Sequence, residues 1–127
     1  MTALLLDTEA LIWWDANDPR LGGRARAAIQ EASDVYVSSA SAWEIVIKTA
    51  LGKLRTKRRP AKAVADGGFR ELPITFEHAE AVRGLPRHHS DPFDRLIIAT
   101  AVVEECSILT SDEKFRMYEV PLIDARR

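Results

Sequence analysis

The first residues constrain this chain more than any other stretch. Ala3-Leu4-Leu5-Leu6 is a short, wholly apolar run that stops at Asp7, and a run without polar alternation suits a strand buried on both faces of a parallel sheet. Such a strand needs parallel neighbours reached by crossovers and helices covering both faces. The rest of the chain supplies both. Helices are predicted from Glu9 to Ala16 and from Arg24 to Ala32, with a second short strand at Val35 to Val37. Ser38-Ser39-Ala40-Ser41 offers cap residues for a helix through Leu51, with Trp43, Ile47 and Ala50 on one face and Gly52 as its stop. Pro60 opens a helix to Ala65 that Gly67-Gly68 ends, and Phe69 to Leu72 reads as a third strand. Thr75 caps a helix to Arg83. Asp91-Pro92 is the clearest helix start, leading a long helix through Glu104, and Ser107 to Leu109 and Val120 to Ile123 complete the strands. Residues 1–127 are therefore expected to form a single α/β domain, a three-layer α/β/α fold around a central parallel sheet of four to five short strands.

Composition removes several function classes. Apolar residues make up 46% of the chain and charged residues 29%, an ordinary globular balance. No window approaches the ~18 consecutive apolar residues of a membrane span, and Met1 leads straight into a strand, so a cytoplasmic protein with no membrane partner is expected. Cys106 is the single cysteine, which excludes an internal disulfide and a cysteine-based zinc site. Any metal must be held by oxygen or imidazole. The formal charge of −1 excludes a globally basic nucleic-acid binder, but the charges are unevenly placed. The interval between Glu44 and Asp66 contains Lys48, Lys53, Arg55, Lys57, Arg58, Arg59 and Lys62 and no acid. The chain reads as an acidic body with one basic arm.

Sites in folds of this class lie outside the carboxyl ends of the strands. Asp7 directly follows the first strand and Asp112 follows the strand at Ser107 to Leu109. Glu44 lies near the start of the helix after Val35 to Val37, and Asp94 lies in the first turn after Asp91-Pro92. All four reach the same edge. Carboxylates that close raise one another's pKa unless a cation offsets them, and oxygen ligands suit Mg²⁺ or Mn²⁺. Such ions lower the pKa of a water and stabilise the leaving oxygen of a phosphodiester. Helix capping accounts equally well for Asp7, Asp91 and Asp112, and Asp94 at the third helical position also favours a helix start. Glu44, set between Trp43 and Ile45-Val46-Ile47, has no capping role; it is either on the exposed stripe or aimed into a site. Spacing alone leaves both readings open.

Five ordered blocks add a resemblance. Leu4-Leu5-Leu6-Asp7-Thr8, Ser41-Ala42-Trp43-Glu44-Ile45-Val46-Ile47-Lys48, Leu51-Gly52-Lys53-Leu54, His89-Ser90-Asp91-Pro92-Phe93-Asp94-Arg95 and Leu109-Thr110-Ser111-Asp112 together resemble the PIN-domain ribonucleases, and within them the VapC-like toxins of bacterial toxin–antitoxin pairs. The likeness runs over nearly the whole chain. It implies a Mg²⁺- or Mn²⁺-dependent endoribonuclease in which Asp7, Glu44, Asp94 and Asp112 are the metal-binding acidic quartet. Thr8 and Thr110 would support that site, and Asp91 would be a helix-capping neighbour. It implies an RNA substrate, a small VapB-like antitoxin whose tail blocks the site, and a homodimer. The basic arm, Lys48, Lys53, Arg55, Lys57, Arg58 and Arg59, then has phosphates to meet. One departure is Glu9, where the nearest relatives often carry His.

The remaining residues have plainer readings. His88 and His89 suit a loop role or a hydrogen bond to the helix cap, His78 a half-exposed helix position, and Cys106 a small buried residue. Trp13 and Trp14 are helix neighbours that cannot both face the core, so one is expected to be exposed for a dimer contact. The alternative is a catalytically silent PIN-like module or a receiver-like switch, although a receiver needs an acceptor Asp where Leu72 leads instead into Pro73-Ile74-Thr75. An acid-nucleophile phosphohydrolase would want Asp-x-Asp where Asp7-Thr8-Glu9 stands.

Overall fold

In the computed structural model, which describes residues 3–127, the apolar run is the centre of the sheet. Strand β1 (Ala3–Leu6) pairs in parallel with β2 (Asp34–Ser38) on one side and β4 (Ser107–Thr110) on the other. Strands β3 (Arg70–Leu72) and β5 (Leu122–Asp124) form the edges, giving the order β3-β2-β1-β4-β5, all parallel. Leu4, Leu5 and Leu6 are fully buried, which is why this strand carries no polar residue.

The pleat divides those leucines between two cores. Leu4, Leu6 and Leu109 pack with residues of α1 (Thr8–Asp15), α2 (Gly23–Glu31) and α4 (Pro60–Gly67), among them Leu11, Ile29 and Val64. Leu5 and Ile108 point the opposite way, onto Ile97 and Ile98 of α6 (Pro92–Glu104) and onto Phe115. Helix α3 (Ser39–Ala50) packs on both α1 and α6 across the carboxyl end of the sheet. Helix α5 (Phe76–Ala81) lies against α6.

Local chemistry sets the boundaries. Asp7 accepts from the Ala10 amide at 2.8 Å to start α1, Ser38 caps α3 through the Ala40 amide at 3.0 Å, and Asp91 caps α6 through the amides of Phe93 and Asp94 at 2.8 and 3.2 Å. Gly68 ends α4 at φ 71°, a conformation that costs glycine little.

Several expectations need correction. The face of α3 bearing Trp43, Ile47 and Ala50 points outward: Trp43 is 60% exposed, while Ala40, Ser41, Glu44 and Ile45 are buried. The helix turns its polar residues toward the site, so the apolar stripe is left outside. Trp13 is only 2% exposed, with the guanidinium groups of Arg20 and Arg126 at 5.1 and 5.3 Å from its ring, and Trp14 is half-buried against Phe69 at 5.7 Å. Trp13 is therefore enclosed, while Trp14 keeps part of its surface on an open pocket that it lines with Phe69. His78 is buried, not half-exposed; its Nδ1 accepts from the Thr75 amide in a capping box and its Nε2 sits 3.0 Å from Glu104. The stretch to Arg83 divides into α5 and a 3-10 turn, Val82–Gly84, and a second 3-10 turn, Glu113–Met117, forms behind an Asp112 cap. The third and fifth strands start at Arg70 and Leu122, each later than expected. Among the described residues no helix is long and apolar enough to cross a membrane.

Candidate metal centre

Four segments deliver the acids to one place. Asp7 follows β1, Asp112 follows β4, Glu44 stands in the second turn of α3 and Asp94 in the first turn of α6; all four line a single open cleft of about 510 Å³. The buried Asp7 serves two readings at once. Its Oδ1 caps α1, and its Oδ2 accepts from Thr110 Oγ1 at 2.5 Å. The same Thr110 oxygen accepts from the Asp112 amide at 3.0 Å, tying the ends of β1 and β4 together. Burial pushes the Asp7 carboxyl up to about 7, against the lowering effect of the Thr110 and Ala10 hydrogen bonds.

Glu44 is aimed into the site. It is 4% exposed; Thr8 Oγ1 donates to its Oε1 at 2.5 Å and also lies 3.0 Å from Ser41 Oγ, while Lys48 Nζ pairs with Oε2 at 2.7 Å. Asp94 is raised to about 7, first by burial and then by the neighbouring Asp91 carboxylate. Asp91 keeps the capping role expected of it and also borders the cleft.

One residue of the site escaped sequence reasoning. Buried His89 accepts the Asp91 amide on Nδ1 at 3.2 Å, the cap bond that its position suggests. That bond places the ring proton on Nε2, which lies 2.9 Å from Asp94 Oδ2 and 2.9 Å from Asp112 Oδ2. Its nearness to the cap was the only local signal. The contact to Asp112, 23 positions away, follows from the packing of α6 beside β4. His89, Asp94 and Asp112 hold ligand atoms within 4.8 Å of one another. The quartet thus meets in two parts, Asp94 and Asp112 joined by His89, and Asp7 and Glu44 in the wall, each gripped by a threonine.

The donor set suits a hard divalent cation. Two of the four carboxyls are held well above their ordinary range by burial, and Glu44 alone has a lysine or arginine partner among the described residues. A cation supplied from solution relieves that imbalance, and carboxylate oxygens are the ligands that Mg²⁺ and Mn²⁺ take.

The basic arm divides in function. Lys48 and Lys53 line the cleft. Arg58 is committed elsewhere: it grips Asp15 with Nε and Nη2 at 2.9 and 2.8 Å and Asp66 at 2.8 Å, while Lys62 pairs with Asp66 at 3.3 Å. Arg55, Lys57 and Arg59 are exposed. Glu9 borders the cleft and accepts from Ser111 Oγ at 2.7 Å.

Comparison with known proteins follows the same lines. The family model described as PIN domain matches residues 4–120. The chain is 32% identical over 129 residues to Ribonuclease VapC22 of Mycobacterium tuberculosis (strain ATCC 25618 / H37Rv), with 95% of each chain covered. Its fold is shared with the FitAcB structure from Neisseria gonorrhoeae at TM-score 0.64 and 22% identity, covering 96% of this chain and 97% of that one. It is also shared with the VapBC2 structure from Rickettsia felis, bound to a DNA fragment from its promoter, at TM-score 0.64 and 15% identity, covering 96% and 98%.

Proposed function

The chain belongs to the PIN-domain family, and on that premise we propose that it is a metal-dependent endoribonuclease of the VapC kind, the toxin of a toxin–antitoxin pair. The observation that carries this reading is the convergence of Asp7, Glu44, Asp94 and Asp112 from four separate segments into one cleft. Those four would hold Mg²⁺ or Mn²⁺. When bound, such an ion supplies Lewis acidity for phosphodiester hydrolysis and lowers the pKa of a water.

The chain's own residues do the rest. Thr110 and Thr8 fix the carboxylates of Asp7 and Glu44, and His89 sets the spacing of Asp94 and Asp112. Lys48 tempers the charge on Glu44, and Lys53 offers a cation to the approaching phosphates. Purified protein is expected to cut single-stranded RNA with added Mg²⁺ or Mn²⁺ and to stop when chelator is in excess. Equal cutting in chelator removes the metal from the reading.

Two partners complete it. A cleft lined by four carboxylates invites blockade by an inserted arginine, whose planar fork pairs bidentately with carboxylates, so the cognate antitoxin is small and places an Arg beside the quartet. The protein is a homodimer, and with Trp13 buried and Trp14 half-buried, the contact falls on the outer stripe of α3, where Trp43, Val46 and Leu51 are 60%, 50% and 63% exposed.

A further inference from the structure

The last turns of the chain bring an arginine to the cleft from the side opposite the basic arm. Arg126 lies just beyond β5, and its segment is fixed at three points: the Gly22 amide donates to Ala125 O at 2.9 Å, the Arg126 amide to Asp124 Oδ1 at 2.9 Å, and the Arg24 amide to Arg127 O at 2.9 Å. Gly22 is required there, since a Cβ on it would fall 2.3 Å from the Arg127 carbonyl carbon. The Arg126 side chain then runs over Trp13, its guanidinium 5.3 Å from the ring, and borders the cleft that Ser111 and Asp112 also line.

Arg20 shows by contrast what is unusual about it. Both guanidinium groups lie against Trp13, but that of Arg20 is taken up by Asp18, through Nε at 3.1 Å and Nη2 at 2.7 Å. Arg126 has no carboxylate within ion-pair distance among the described residues, although Asp124, beside it, pairs with Arg116 and Arg127. An arginine held on an aromatic face with its donors unspent is pre-ordered for an anion. The sheet order places Arg126 relative to the acids and the other cations. Lys48 and Lys53 reach the cleft from α3 and the segment after it, Asp7 and Asp112 stand at the ends of β1 and β4, and Arg126 arrives after β5. The ends of β2 and β5 lie three inter-strand spacings apart, about 14 Å, with Asp7 and Asp112 between them.

We propose that Arg126 is a phosphate-binding residue that holds single-stranded RNA on the β5 side of the acids, so that the strand lies across the sheet edge from Lys53 to Arg126 with its scissile bond between them. This rests on the ribonuclease reading above. A strand clamped on both sides does not depend on the metal alone to overcome the repulsion of the acidic rim.

The test uses the full chain and a fluorescent single-stranded RNA, with binding measured in chelator at a series of salt concentrations and cleavage measured with Mn²⁺. Arg126→Ala is expected to weaken binding about tenfold, the loss of one charge-assisted contact, and to lower the steepness of log K against log salt by about 0.7. KM should rise by a similar factor while kcat at saturating RNA stays put. Arg126→Lys should recover most of the binding, Arg20→Ala should change neither quantity, and Lys53→Ala combined with Arg126→Ala should flatten the salt dependence about twice as far. Arg126→Ala that binds like wild type, with the same salt slope, overturns the proposal, whatever it does to a protein partner; so does a loss confined to kcat, which would make the residue a support for Trp13. Wild-type protein that binds RNA in an Arg126-dependent way yet cuts none leaves the clamp standing and removes the nuclease reading.

Discussion

A carboxylate in this cleft has two possible duties, and substitution separates them. Asn caps a helix nearly as well as Asp but brings no charge to a metal. Asp94→Asn should therefore reduce cleavage by about 100-fold or more, exceeding the loss typical of an outer-shell partner, while Asp91→Asn stays within a few-fold and both fold normally. If Asp91 proves the more sensitive in a cleavage assay, the roles within Asp91-Pro92-Phe93-Asp94 are reversed. Asp7 permits a prediction in pH. Its carboxyl stands at 3.8 in an unfolded chain and about 7 in the fold, so the folded state binds the extra proton, and the metal-free protein loses stability as pH rises from about 4 to about 7. That gap is worth on the order of 4 kcal/mol above pH 7. Asp7→Asn should raise the melting temperature in chelator at pH 8 far more than at pH 4.5, and thermal scans at the two pH values check it. A gain that is equal at both, or absent, would show that Asp7 is not ionised against its surroundings. Sequence placed Asp7, Glu44, Asp94 and Asp112 at one edge because each is tied to the end of a strand or the start of a helix. It did not place His89 between Asp94 and Asp112, because that contact is long-range and leaves no periodic trace.

At the scale of elements, burial followed local pattern where one face of an element was plainly apolar and departed from it where a site competed. Strand β1 and helix α6 were readable to within a residue, since an unbroken apolar run and an Asp-Pro start each have one physical meaning. Helix α3 was misoriented: its apolar residues suggested a core stripe at Trp43 and Ile47, yet Glu44, Ser41 and the cleft claim the inner face. The cost is an exposed tryptophan, and it has a measurable consequence. Replacing Trp43 and Val46 together by Ser should convert a dimer to a monomer in sedimentation while cleavage of a short RNA persists; a mass unchanged from wild type would move the contact elsewhere. The basic arm was likewise read as a single phosphate-facing run, whereas Arg58 is a strut that fastens it to α1 and α4. Arg58→Ala should hasten trypsin cleavage between Lys53 and Lys62 without lowering the melting temperature of the remainder by more than a few degrees. If the digestion rate does not change, the strut is ornamental.

Across the whole molecule, the proposed toxin activity requires a partner that holds it in check. On the toxin reading proposed above, expression alone should arrest growth, and co-expression with a cognate antitoxin, sought among small reading frames beside the gene, should restore it. Asp94→Asn should make the first condition harmless. Normal growth on expression of the intact chain alone would leave a PIN-domain nuclease but remove the toxin. The order of the sheet adds a matter of timing. Strand β1 is translated long before its neighbour β4, and the hydroxyl that grips Asp7 belongs to Thr110, 103 positions further on. At about 5–20 residues per second, synthesis of that interval occupies roughly 5–20 s, during which Asp7 lacks the hydroxyl of Thr110 and Asp112 is not yet made, although Thr8 and Lys48, the partners of Glu44, are. An emerging chain therefore carries an incomplete acid cluster until β4 has been made, a delay written into strand order.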